Sequence, residues 1–176
     1  MAFASIATVA NNPTLLNPDD VTFVDDNGDG TSTIYTAHRP PLKSTLSASA
    51  AVSALGFTAI SATRARAARA SSFNPTSVVY VQPYGTGCQI RLAGGSTFVA
   101  SDALATVLAL LDATKTVTLT RRGETTAGAV TRDMVASVDS ETNPNSGVVG
   151  SGLLLKDGSR FQTDTAVASV LTALNA

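Results

Sequence analysis

Apolar and polar positions alternate along this chain in a pattern that recurs. In NPDDVTFV (17–24) and NPTSVVYV (74–81), an Asn-Pro pair and two polar residues lead into Val-x-aromatic-Val. The shift that carries Val21 onto Val78 leads, when repeated, to Val135 in MVASV, where Thr131-Arg132 stand in place of Asn-Pro. Farther along, IRLAGGSTFVASDALATVLALL (90–111) aligns without a gap on LLLKDGSRFQTDTAVASVLTAL (153–174) at a slightly larger shift, Phe98 falling on Phe161. The difference predicts a longer loop in the third copy, within the turn-rich SETNPNSG (140–147). Self-similarity at one period marks tandem structural units, here of about 57 residues each. The chain therefore divides into an N-terminal arm (1–16) and three units, 17–73, 74–130 and 131–176.

Within a unit the hydrophobic period changes from that of a strand to that of a helix. Val-x-aromatic-Val predicts a short strand, and a Gly/Asp turn leads to a second one at 33–37, 89–93 or 153–156. Gly94-Gly95 and Asp157-Gly158 supply residues that tolerate positive φ in the next hairpin turn. A third strand is expected around Phe98 and Phe161; in the first unit Pro40-Pro41-Leu42 weaken it, because proline cannot donate to a ladder. A helix then follows. Leu104, Val107, Leu108 and Leu111 form an i, i+3, i+4, i+7 stripe, repeated by Val167, Val170, Leu171 and Leu174 and, with smaller side chains, by Ala48, Ala51, Val52 and Leu55. Ser101 or Asp102, and Thr163 or Asp164, are the expected N-caps.

A last strand, 57–64 or 115–121, ends the first two units, and the third unit ends at its helix. Phe3-Ala4-Ser5-Ile6 resembles Phe57-Thr58-Ala59-Ile60, so residues 3–9 are expected to fill the vacant sheet edge, in their own chain or in a neighbour's. The predicted fold is α+β: three tandem β-β-β-α-β units in a pseudo-threefold arrangement, one compact domain closed by the N-terminal strand. A unit this small is marginal alone, so the copies are expected to share a core.

Composition shifts attention away from catalysis. Only 14% of residues are charged and 5% aromatic, there is no Trp, and the net charge is −1. So little charge suits a surface packed against neighbours, and it supplies no basic field to recruit nucleic acid. The N-terminal residues MAFASIATVANNP lack the charged and apolar regions of an export signal, and no stretch approaches a membrane span. One cysteine, Cys88, excludes an intrachain disulfide framework.

Candidate chemistry is sparse. Asp25-x-Asn27-x-Asp29-Gly30 matches the first half of a calcium loop, but Thr36 occupies the twelfth position where a bidentate Glu belongs, and an Asp/Gly turn is the simpler reading. His38 is the sole histidine, and no nucleophile elbow accompanies it. Gly150-Ser151-Gly152 reads as a flexible turn, Cys88 as a small core residue, and Arg121-Arg122-Gly123-Glu124 as a charged hairpin tip. Arg64, Arg66 and Arg69 form the one local basic cluster; with Phe3 and Ile6 they are the candidate partner contacts. No catalytic residue, cofactor, metal or small-molecule substrate is expected.

In overall character the chain resembles structural proteins of tailed-phage virions, through its Met1-Ala2 start, its Ala/Thr/Ser/Gly-rich body of low charge and its Asn-Pro and Gly-Gly-Ser turns. That resemblance implies a capsid decoration, connector or tail protein contacting other protein subunits, located in the virion; without it the expected location is the cytoplasm. Residues 78–111 also resemble the strand-rich, helix-closed unit of LytTR-type DNA-binding domains, which implies a nucleic-acid-binding module; Arg91 is the only basic residue in that span. A surface adhesion module, suggested by the DDNGDGT turn, is a third reading.

Overall fold

The computed structural model describes residues 3–10, 12–65, 67 and 69–176. The chain opens with a hairpin of β1 (Ala4–Ile6) and β2 (Thr14–Leu16). A meander of β3 (Val21–Asp26), β4 (Ser32–Thr36) and β5 (Leu42–Ser44) leads to helix α1 (Ala48–Leu55). The same order of elements follows twice more. The second passage is hairpin β6 (Ile60–Thr63) and β7 (Ala70–Phe73), meander β8 (Val78–Tyr84), β9 (Gly87–Leu92) and β10 (Thr97–Ala100), and helix α2 (Leu104–Leu108). The third is hairpin β11 (Thr116–Thr120) and β12 (Ala127–Thr131), meander β13 (Val135–Thr142), β14 (Val149–Leu155) and β15 (Arg160–Thr163), and helix α3 (Val167–Asn175). Every ladder among the described residues is antiparallel, and the fold is α+β.

Local chemistry explains where each meander begins. The Asn17 and Asn74 side chains accept the backbone N–H groups of Asp19 and Thr76, and Pro18 and Pro75 occupy the first helical position, where no N–H is needed. Each Asn-Pro pair thus starts one 3₁₀ turn that delivers the chain into a buried strand. At the third such turn the Thr131 hydroxyl donates instead to the Val78 carbonyl at 2.6 Å.

Hairpins are shared between layers. β7 ladders onto β3 and β12 onto β8, giving two five-stranded sheets ordered β5-β4-β3-β7-β6 and β10-β9-β8-β12-β11. Strands alternate their side chains between faces, so each hairpin also presents residues to the core that follows it. Ile60, Ala62 and Phe73 pack with Ile90, Phe98 and Val107 beneath α2, whereas Val117, Leu119 and Val130 pack with Leu153, Phe161 and Val170 beneath α3. The first core holds Ile6 and Leu16 with Val21, Val24, Ile34, Ala51 and Leu55. Aromatic residues interlock these layers: Phe23 of β3 reaches into the second core against Phe98 (5.9 Å between centroids), and Tyr80 of β8 reaches into the third against Phe161 (5.6 Å).

Several expectations change. The N-terminal strand does not close the third sheet, which holds only β13, β14 and β15; Ala4–Ile6 pair instead with Thr14–Leu16, and Thr8 bridges to Ser44. A nearby partner strand costs less loop entropy, and Ile6 and Leu16 gain burial in the first core. β2, β7 and β12 are additional strands. Leu42–Ser44 do form a strand, kept short and at a sheet edge after Pro40-Pro41. Gly150-Ser151-Gly152 is no turn but the start of the central strand β14, where a side chain at Gly150 would collide with the Thr163 carbonyl. Ser101, Asp102, Thr163 and Asp164 do not cap helices: Ala103 and Ala166 hold the N-cap positions, and Asp102 accepts the Thr63 backbone N–H. Only α1 has a side-chain cap, Ser47, which accepts from the Ala50 N–H at 3.3 Å. The apolar stripe after α2 continues as 3₁₀ bonds from Leu110 to Val107 and from Leu111 to Leu108.

Candidate functional site

The basic cluster lies where the first hairpin-to-meander junction closes. Past the end of β6, Arg64 bridges to Ala100 at the end of β10, and its guanidinium donates to the Asp25 carboxylate of β3. The same group lies 4.8 Å from the Phe98 ring centroid and 5.8 Å from that of Phe23. Asp25 also accepts from the Ser71 hydroxyl. Arg64 therefore joins two layers of its own fold, and its side chain remains 37% exposed. The next junction has the same form. Arg121, 57 residues beyond Arg64, donates at 2.9 Å to Gln82, which stands 57 residues beyond Asp25. Arg122 donates to Asp164 at 2.8 Å, and Arg91 to the buried Asp157 carboxylate at 2.9 Å.

Of the other candidates, Arg69 donates to the Asn27 carbonyl and lies over Gly28, and Arg66 lies outside the described residues. Ile6 is fully buried in the first core and is not available to a partner, since strand alternation turns it inward beside Leu16. Phe3 is 64% exposed.

Asp25, Asn27 and Asp29 do not converge as a ligand set. Asp25 is held by Arg64 and Ser71; the Asn27 amide exchanges hydrogen bonds with Thr31 and Thr33; Asp29 accepts from the Thr31 N–H at 3.0 Å and from its hydroxyl at 2.5 Å. Those Thr31 bonds hold the Asp29 carboxyl below its ordinary value. Cys88 is buried in β9, where desolvation first, and the charge of Asp102 second, push its thiol up to about 11. His38 is exposed in the turn between β4 and β5, on a different sheet. Ala37 and His38, Ala93 and Gly94, and Lys156 and Asp157, from the corresponding turns of the three meanders, line one cavity of about 460 Å³ with Met134.

Sequence reasoning missed the surface at the third meander. Val21–Val24 and Val78–Val81 are buried throughout, but none of Val135–Val138 is buried. Among the described residues no strand ladders with the outer edge of β13. Beside that edge a groove of about 360 Å³ runs along α3, lined by Val135, Val138, Leu171 and Leu174 together with Arg132, Asp133, Ser137 and Asn175. Among the described residues the outer edge of β2 is also unpaired, and Leu15 on it is 60% exposed. The available signal was the replacement of the strand's aromatic by Ser137. No known protein family, curated protein or solved structure matches the chain.

Proposed function

We propose that the chain is a non-enzymatic structural component of a large assembly, such as a tailed-phage capsid decoration, connector or tail protein, acting through contacts with other protein subunits. The observation that carries this reading is the pair of open strand edges, at β2 and β13, each bordered by uncovered aliphatic side chains. Unpaired edges are liabilities in a solitary protein and templates for pairing in an assembled one. The low charge of the chain supports the same reading.

The architecture behind it is a triplication in which each hairpin joins two consecutive units, the three units being related by a pseudo-threefold arrangement. Support comes from the common repeat shift in both junctions and from the convergence of three corresponding turns on one cavity. Mass spectrometry of particles purified from the source tests the function directly. The chain is expected in many copies per particle; its recovery solely from the soluble, particle-free fraction would contradict the reading.

A further inference from the structure

Both internal junctions follow one register. β7 meets β3 with Phe73 opposite Phe23, Ser72 opposite Val24 and Ser71 opposite Asp25; β12 meets β8 with Val130 opposite Tyr80 and Ala129 opposite Val81. The pairs of the second junction lie one full repeat beyond those of the first on both strands. One further step on the meander side reaches Ser137, Val138 and Asp139 of β13, and one step back on the hairpin side reaches Leu16, Leu15 and Thr14 of β2. Single bridges tie the other sheet edges to one another, Thr8 to Ser44, Arg64 to Ala100 and the Arg122 N–H to the Gln162 carbonyl, so among the described residues β2 and β13 are the two edge strands left without such a tie. We infer that β2 of one copy ladders onto β13 of a second copy, with Leu15 opposite Val138 and inserted beneath α3.

The helices carry the imprint of this missing strand. β7 packs against α1 and β12 against α2, and there Leu55 and Leu111 are buried. Leu174, the corresponding residue of α3, is only half-buried, and Leu171 is 43% exposed. Ser72 and Ala129 sit opposite Val24 and Val81, the valines that point into the first and second cores, so both occupy the face covered by the preceding helix. Leu15 takes that position in the inferred pair, and Val138, Leu171 and Leu174 are among the residues lining the groove beside β13, with the charged Arg132 and Asp133 also on its wall. A leucine replacing serine or alanine gives this junction an anchor that the internal ones lack.

The occupant is a second copy: among the described residues β13 ladders only with β14 and β2 only with β1, and the chain's own hairpin is fixed against the first core. Its inward face, Ile6 and Leu16, is sealed in the first core; the Val9 N–H donates to Lys43 at 3.2 Å, and the Ala7 carbonyl accepts from the Thr45 N–H at 3.2 Å. The contact uses different surfaces on its two sides, so it is head-to-tail and builds a ring or an open fibre.

The inference deepens the assembly reading and rests on it, and the two fail differently. Leu15→Cys and Val138→Cys are prepared separately, with retention of the wild-type circular dichroism spectrum as the test of folding, and are mixed under mild oxidation. The buried Cys88 thiol stays unreactive. An interchain disulfide between the two variants is expected, and it should be suppressed when Val138→Cys is exchanged for the out-of-register Ser140→Cys. Leu15→Glu, at an exposed position that spares the fold, should weaken self-association roughly tenfold to a hundredfold in light scattering. Absence of the mixed disulfide, or an intrachain disulfide alone in the double variant, overturns the head-to-tail pairing. Many copies in purified particles would still uphold the assembly role in that case.

Discussion

Arg64 performs three tasks with one planar group: it pairs with Asp25, covers Phe98 and Phe23, and lies beside the bridge to Ala100. Its side chain is 37% exposed, so the ion pair alone contributes little, and much of its effect comes from the ring contacts. Arg64→Ala should lower the unfolding free energy by roughly 1–2 kcal/mol. Arg64→Lys should recover only part of it, because an ammonium cannot stack; full recovery in urea unfolding would contradict the stacking role. Two titrations bound the pH range of stability. Burial pushes the Asp157 carboxyl up, but hydrogen bonds from Ser159 and Arg91 outweigh it and leave the group below its ordinary 3.8. Its contribution is present above that ordinary value and lost as pH falls through the lowered one. Cys88 acts at the other end: its stabilisation is complete below the ordinary thiol value of 9.0 and fades as pH rises through about 11. Acid and base limbs of a melting-temperature profile check both signs, and Asp157→Asn should flatten the acid limb.

At the scale of elements, the hairpins make the layers interdependent. Phe98 stands at the meeting of β10 with Phe23 from β3 and Phe73 from β7, 4.7 Å from the Phe73 centroid in an edge-on arrangement. Phe98→Ala should cost about 3–5 kcal/mol and disturb both adjoining cores, as read by hydrogen exchange in β3 as well as β10. Protection lost from β10 alone would show that the layers are independent. The meander strands and helices were legible in the sequence because their valines, aromatics and leucines follow clear periods. β2, β7 and β12 were not, since Thr-Leu-Leu is too short to show a period, and Ala-Ser-Ser-Phe and Ala-Gly-Ala-Val-Thr consist mostly of small residues with weak strand preference. Their existence depends on non-local pairing, which one-dimensional periodicity does not encode. The arginines were visible as a cluster, but the partners of Arg64 and Arg69 lie 39 and 42 residues away in sequence and could not be read from it.

At the scale of the whole molecule, the fold passes hairpins forward from one layer to the next and leaves an incomplete junction at each end. Removing residues 1–10 takes Ile6 out of the first core and abolishes the β1–β2 ladder, so the melting temperature should fall and the β2 edge should lose its support. An unchanged melting temperature would show that the hairpin is dispensable. The open β13 edge and the groove along α3 define the other end, where Ser137, Asp139 and Ser140 are exposed and no strand ladders with the outer edge among the described residues. The most direct test of assembly through these ends is light scattering after size exclusion, over a wide range of protein concentration. In wild type the mass should rise with concentration above the 17.9 kDa of one chain, and in Leu15→Glu that rise should shift to roughly tenfold to hundredfold higher concentration. A wild-type mass that stays at 17.9 kDa throughout the range would contradict it.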